Sequence, residues 1–234
     1  MKLYAYCLCA DLDSFDNSVS GVSGATVRVL KIEDVSVLVS DCEVVAATQE
    51  NMLAHAAVVR SVCTRTTPVP FRFGTLATEP QFRSFITGNK VAIANKLAHL
   101  SGCVEMDLKT VWQSSNSAPA LPDPPAGPGT AFLREKRREL LGDEPPAAQR
   151  AELSGLLSEE LGDLVKEEKI SLRASDKSPA TKVFHLVEAS KIKAYREKVQ
   201  KLREKRPELQ LEVSGPWPPY SFANIELELS HGSE

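Results

Sequence analysis

The stretch KISLRASDKSPATKVFHLVEASKIKAYREKVQKLREKRPELQLEV, Lys169–Val213, decides the fold of the second half of the chain. Lys169–Ala174 and Lys182–Val187 favour strands, and Asp176–Ala180 between them carries turn formers, so the pair reads as a hairpin. From Lys191 to Arg206 the period changes: Ile192, Tyr195, Val199 and Leu202 recur at three and four residues, the inward face of a helix. Pro207 closes that helix, and Leu209–Val213 is a last strand.

Upstream, Val104–Trp112 alternates Val104, Met106 and Leu108 with Glu105, Asp107 and Lys109, which predicts a half-buried strand. Two helical stretches come next. One is the charged Phe132–Leu141. The other carries Leu153, Leu156, Leu157, Leu161, Leu164 and Val165 on one face, and Gly142 and Pro145-Pro146 separate the two. From Val104 the order is β, α, β, β, α, β, the split βαβ, ferredoxin-like order, whose right-handed crossovers put both helices on one sheet face. Residues 114–129 are dense in Pro, Gly, Ser and Ala and read as a mobile insertion.

Toward the N-terminus, Leu3–Cys9 reads as a core strand and 13–24 as a loop; Ala25–Ile32 and Val35–Val39 form strands joined at Glu33-Asp34. Gln49–Arg65 is helical, with Met52, Ala56, Val59 and Cys63 on one face, until Pro68 and Pro70. Phe71–Thr75 reads as a short strand. Glu79–Leu100 reads as one helix with Phe82, Ile86, Ile93 and Leu97 inward, capped at Gly102. The fold class is therefore α+β in two domains: an N-terminal mixed α+β domain (1–101), a C-terminal ferredoxin-like domain (102–215) containing the Pro-rich insertion, and a C-terminal tail (216–234).

Composition bounds the function. The 234 residues are 42% hydrophobic and 25% charged, ordinary for a globular protein, and a net charge of −3 lacks the basic excess of a nucleic-acid binder. No apolar run approaches the roughly 20 residues of a membrane span, and the start lacks the features of a signal peptide, so a cytoplasmic location is expected. The cysteines Cys7, Cys9, Cys42, Cys63 and Cys103 are odd in number and irregular in spacing, and read as small apolar residues. No cofactor and no metal site is expected: phosphate-loop, dinucleotide, zinc-protease and serine-hydrolase motifs are missing, and none of His55, His99, His185 and His231 forms an i, i+4 pair. His55 reads as a hydrogen-bonded structural histidine. Glu159-Glu160 and Glu167-Glu168 read as a solvated face. The basic helix 191–206 is either a patch for an acidic partner or the wet side of a packed helix. The residues leave two alternative functions open: a small-molecule enzyme with an interdomain cleft, and a regulatory nucleic-acid-binding module using that helix.

Two segments are not explained by composition. In Pro68-Val69-Pro70-Phe71-Arg72-Phe73-Gly74-Thr75, Phe71 and Phe73 share one side of the expected strand and Arg72 takes the other. In Gly215-Pro216-Trp217-Pro218-Pro219-Tyr220-Ser221-Phe222, three prolines stiffen an extended backbone that stays out of a regular ladder and displays Trp217, Tyr220 and Phe222. Either segment is a structural clamp or a set of partner anchors.

These segments resemble the GvpF/GvpL family of gas vesicle proteins. The landmarks are the aromatic first strand Leu3-Tyr4-Ala5-Tyr6; His55 followed by Pro70–Thr75; Gly102 with Val104, Glu105 and Lys109; and Gly215–Phe222. The resemblance implies a two-domain α+β protein without enzymatic activity, associated with gas vesicles. It implies an accessory or minor structural component that contacts the shell protein GvpA and other accessory Gvp proteins, with neither nucleic acid nor membrane as partner. Phe71, Arg72, Phe73, Trp217, Pro218, Pro219, Tyr220 and Phe222 are the candidate partner-binding residues.

Overall fold

The computed structural model describes residues 1–16, 18–111, 147–171 and 180–224. The expected Pro-rich insertion, the helix at 132–141, the hairpin turn, Trp112 and the end of the C-terminal tail, 225–234, lie outside the described residues. Among the described residues the chain is a mixed α+β protein with two sheets, and these residues divide into two compact units: Met1–Glu105 together with 216–224, and Met106–Gly215.

In the first unit, β1 (Leu3–Ala10) is the central strand. It pairs antiparallel with β3 (Val35–Asp41), which pairs with β2 (Arg28–Ile32). Its other edge takes two short strands, β4 (Val69–Pro70) and β5 (Leu76–Ala77). Every residue from Leu3 to Cys9 is buried, because helices and loops leave this strand no wet side. The turn between β2 and β3 holds Glu33 at φ 51°, a left-handed conformation that non-glycine residues adopt at a cost.

Helix α1 (Gln49–Val62) starts at Thr48, whose side chain accepts from Asn51 N. Its buried residues are Asn51, His55, Val58, Val59 and Val62, while Met52 is 47% exposed. The buried stripe is thus rotated nearly one residue from the expected Met52–Ala56–Val59–Cys63 face. The cause is that Asn51 and His55, polar by type, hold core positions: Asn51 Oδ1 accepts from Ser23 N at 2.7 Å and its Nδ2 donates to Ala46 O at 3.0 Å.

The single helix expected over Glu79–Leu100 is two, α2 (Glu79–Gly88) and α3 (Lys90–Leu100). Thr78 and Gln81 form a capping box at the start of α2. The break is at Asn89 (φ −115°, ψ 18°), whose Nδ2 donates to Phe85 O at 2.8 Å and competes with the helical pattern.

The second unit's sheet contains β6 (Cys103–Val111), β7 (Val165–Ser171), β8 (Ala180–Glu188) and β9 (Leu211–Trp217), in the order β7-β8-β6-β9. β7 and β8 are antiparallel. Helix α4 (Ala147–Leu161) buries Leu153, Leu157 and Leu161 and ends before Leu164; Val165 opens β7 rather than extending the helical face. Helix α5 (Ile192–Lys205) buries Tyr195, Val199 and Leu202 of its expected inward face, and Ile192, at its first turn, is half-buried. β9 runs on through Gly215, Pro216 and Trp217, and Tyr220–Ala223 closes into a short helical turn, α6. The segment expected to stay out of a ladder is half strand and half helix: Pro216 falls on a strand at the sheet's edge, where a missing N–H is tolerated.

Candidate partner-binding surface

The core of the first unit is a hydrogen-bonded aromatic cluster. Tyr4 Oη accepts from Gly74 N at 3.3 Å and lies 2.8 Å from His55 Nδ1. Phe73 packs edge-on against Tyr4 and His55, each with ring centroids 6.0 Å apart. Burial lowers the His55 pKa to about 4, with the Phe71 backbone acting weakly the other way. Burial likewise pushes the Tyr4 and Tyr6 phenols up. Tyr6 Oη accepts from Val22 N at 2.9 Å and meets Ser40 Oγ at 2.9 Å, and Ser40 donates to Thr26 O. His55 is held as a neutral structural histidine.

The strand expected at Phe71–Thr75 is a turn between β4 and β5, with Gly74 at φ 88° and Thr75 N and Oγ1 both donating to Arg72 O. The two phenylalanines therefore do not share a strand face. Phe71 is buried 6.1 Å from the Phe82 ring, Phe73 is half-buried, and Arg72 is exposed.

The structure brings the second segment onto the first. α6 packs against β4, so Tyr220–Ala223 lies beside Val69-Pro70. Phe222 is fully buried, its carbonyl accepting from Lys96 Nζ at 3.1 Å. Pro218 and Pro219 are buried and supply the carbonyls that accept from Tyr220 N and Phe222 N. Trp217 is half-buried, with the Arg60 guanidinium 5.1 Å above its ring. Tyr220 is 39% exposed, and burial of its hydroxyl end raises its pKa. Of the eight candidate residues, Arg72 and Tyr220 are exposed, Phe73 and Trp217 are half-buried, and Phe71, Pro218, Pro219 and Phe222 are packed inside.

Sequence reasoning missed two polar sites. Glu105, read as the wet side of its strand, is 4% exposed; Ser221 donates to it from N at 2.7 Å and from Oγ at 2.9 Å. In the second unit Tyr195 Oη lies 2.8 Å from His185 Nδ1, His185 Nε2 lies 2.9 Å from Glu168 Oε2, and Ser154 donates to Glu168 Oε1 at 2.8 Å. This chain of bonds ties α5, β8, β7 and α4 together, and Glu168 is a satisfied partner rather than part of a solvated run. The one signal for it was His185 amid Val183, Leu186 and Val187, a polar residue inside an apolar strand.

The basic helix α5 is largely engaged within its own unit. Lys191 pairs with Glu188, Lys198 with Asp163, Lys205 with Glu160, and Arg206 with Glu208 and Glu152; Arg196 and Arg203 donate to the Gly215 and Leu211 carbonyls. This favours the packed-helix explanation over a phosphate-binding face. The five cysteines are free, and burial pushes the Cys7 thiol well up, Cys9 to about 12 and Cys63 to about 11, so these three are not activated nucleophiles. Among the described residues no His, Cys, Asp and Glu side chains cluster for a metal ion, and no helix is long and apolar enough to cross a membrane.

The described residues form two mixed α+β units, and the aromatic segment 216–224 belongs to the first. The comparisons give this architecture a family. A family model described as "Gas vesicle synthesis protein GvpL/GvpF" matches residues 2–224, and the chain belongs to that family. It is 27% identical to gas vesicle protein L of Haloferax mediterranei over 238 residues, covering 89% of this chain and 74% of that one. It is 25% identical to gas vesicle protein F1 of Halobacterium salinarum, covering 97% and 94%. The fold matches the crystal structure of GvpF from Anabaena sp. with a TM-score of 0.71 at 18% identity, over 96% of this chain and 97% of that one. It matches GvpF from Microcystis aeruginosa with a TM-score of 0.70 at 17% identity, over 96% and 99%.

Proposed function

We propose that this chain is a non-catalytic accessory component of gas vesicle formation that binds the shell protein GvpA and other accessory Gvp proteins in the cytoplasm, at or near the growing vesicle. The observation that carries the proposal is the family match over residues 2–224, joined to an aromatic segment that is half core and half surface. A subunit whose mature surface faces gas is apolar and prone to aggregate before assembly; a partner that covers it with aromatic anchors meets that need.

The anchors are half-buried Trp217 and exposed Tyr220, with Arg72 as a further exposed side chain and Phe71, Phe73, Pro218, Pro219 and Phe222 fixing their position. The surface continues along α1: Leu53, 62% exposed, and Arg60 share a helical stripe, and Arg60 stacks on Trp217. The second unit is assigned the ferredoxin-like arrangement, supported by the strand order β7-β8-β6-β9 with a helix before β7 and another before β9.

The test is co-expression of the tagged chain with GvpA and, separately, with each accessory Gvp protein, followed by pull-down. Retention of GvpA or an accessory Gvp protein at equimolar order supports the proposal. A folded chain that retains none of them refutes it.

A further inference from the structure

We infer that the first unit carries a second docking site, a groove between α3 and the β2–β3 turn that takes a basic amphipathic helix of another gas vesicle protein; this rests on the proposed accessory role. The groove has a volume of about 340 Å³. Its floor and walls are Val35, Ile86, Ala94, Leu97 and Ala98, and its rim includes Glu33, Asp34 and Lys90. It lies beside the break at Asn89, with Ile86 from α2 and Ala94, Leu97 and Ala98 from α3. Val91, one turn before Ala94, is 74% exposed and extends the apolar surface beyond the groove. Lys96, which reaches Phe222, points from a different face of α3, so this groove is separate from the Trp217–Tyr220 surface.

The charge at this end of the sheet selects the occupant. Glu33 holds Lys90 at 2.7 Å, while Asp34 stands 3.6 Å from the same ammonium with its side chain 89% exposed. Among the charged residues that line the groove, two carboxylates thus face one ammonium group, and the excess is negative. Glu33 itself sits at φ 51° where glycine is cheaper; its carboxylate accepts from Thr87 Oγ1 at 3.0 Å as well as holding Lys90, so the strained turn fixes the rim to α2 and α3. An apolar slot with an acidic rim fits aliphatic side chains at i and i+3 or i+4 flanked by Lys or Arg.

The experiment places the photocrosslinker benzoylphenylalanine at Ala98 of the full chain in cells making gas vesicles, with the same group at Lys201 on α5 as control. The chain is purified by its tag, co-purifying Gvp proteins are identified, and crosslinked peptides are mapped. The expected result is a crosslink from position 98, and not from 201, to a helical segment of another gas vesicle protein bearing Lys or Arg beside its apolar residues. Asp34→Lys, at an exposed position, should lower its yield ~10-fold, the order of a reversed interfacial charge. Gvp proteins that co-purify without a crosslink at 98 overturn the groove and leave the accessory role standing, as does a crosslink to an acidic segment or to a second copy of this chain. If no Gvp protein co-purifies, the accessory role fails and the groove with it.

Discussion

The carboxylate of Glu105 accepts both the backbone N–H and the hydroxyl of Ser221, at 2.7 and 2.9 Å, across 116 residues of sequence. A buried carboxylate is tolerable only when its oxygens are satisfied, so this pair fastens the Pro-Tyr-Ser-Phe segment to the end of the first unit. Removing the acid leaves the Ser221 N–H without this acceptor; removing only the hydroxyl leaves one of the two bonds. Glu105→Ala is expected to cost about 3 kcal/mol and Ser221→Ala about 1 kcal/mol in urea unfolding. Equal small losses for the two would mean that the pair does not clamp the segment.

Gly21 is required for space. A Cβ there would stand 2.1 Å from Tyr6 Oη, 2.9 Å from Ser40 Oγ and 3.0 Å from Ala25 O, in the middle of the Val22–Tyr6–Ser40–Thr26 relay. Gly21→Ala should destabilise by about 2 kcal/mol through overpacking and a displaced phenol. Gly24→Ala is the control: its φ of 73° carries strain, but nothing lies within 4 Å of the added carbon, so its loss should be nearer to about 1 kcal/mol.

Stability should fall on mild acidification. His55 titrates near 4 in the folded chain and near 6.5 when unfolded, so below pH 6.5 the unfolded state binds the extra proton first. The folded state loses on the order of 3 kcal/mol as pH falls from 6.5 to 4. Glu168 adds to this at lower pH: hydrogen bonding from His185 holds its carboxyl below the usual range, so its contribution is present above that range and lost as pH falls through its folded value. Urea midpoints measured between about pH 7.5 and pH 4 should decline in wild type. His55→Gln should flatten the upper part of the curve; an unchanged slope would contradict a buried neutral His55.

Much of the fold was legible because period and burial agree. β1, the β2–β3 hairpin and α5 follow their apolar spacing, and Glu33-Asp34 marked its turn. The departures share one cause: local pattern does not record which polar residues find partners inside. Asn51 and His55 rotated α1 because Ser23 and Tyr4 bond them, and Glu105 went inward because Ser221 meets it. Asn89 broke a continuous apolar stripe by a side-chain bond invisible to periodicity. At the candidate surface, sequence singled out two segments, which the structure packs against each other. Sequence could not separate Phe71 and Phe222, which fill cores, from half-buried Trp217 and exposed Tyr220, since that depends on α6 folding back on β4.

Whether Trp217 and Tyr220 are partner anchors is decided by measuring GvpA retention on the tagged full chain beside a Trp217→Ala, Tyr220→Ala double variant whose urea midpoint and circular dichroism confirm that it is folded. The variant is expected to keep its fold and to lose GvpA by at least ~30-fold in affinity, about 2 kcal/mol of hot-spot truncation. A folded variant that retains GvpA as wild type does would contradict the anchor assignment and leave the segment a clamp within the first unit.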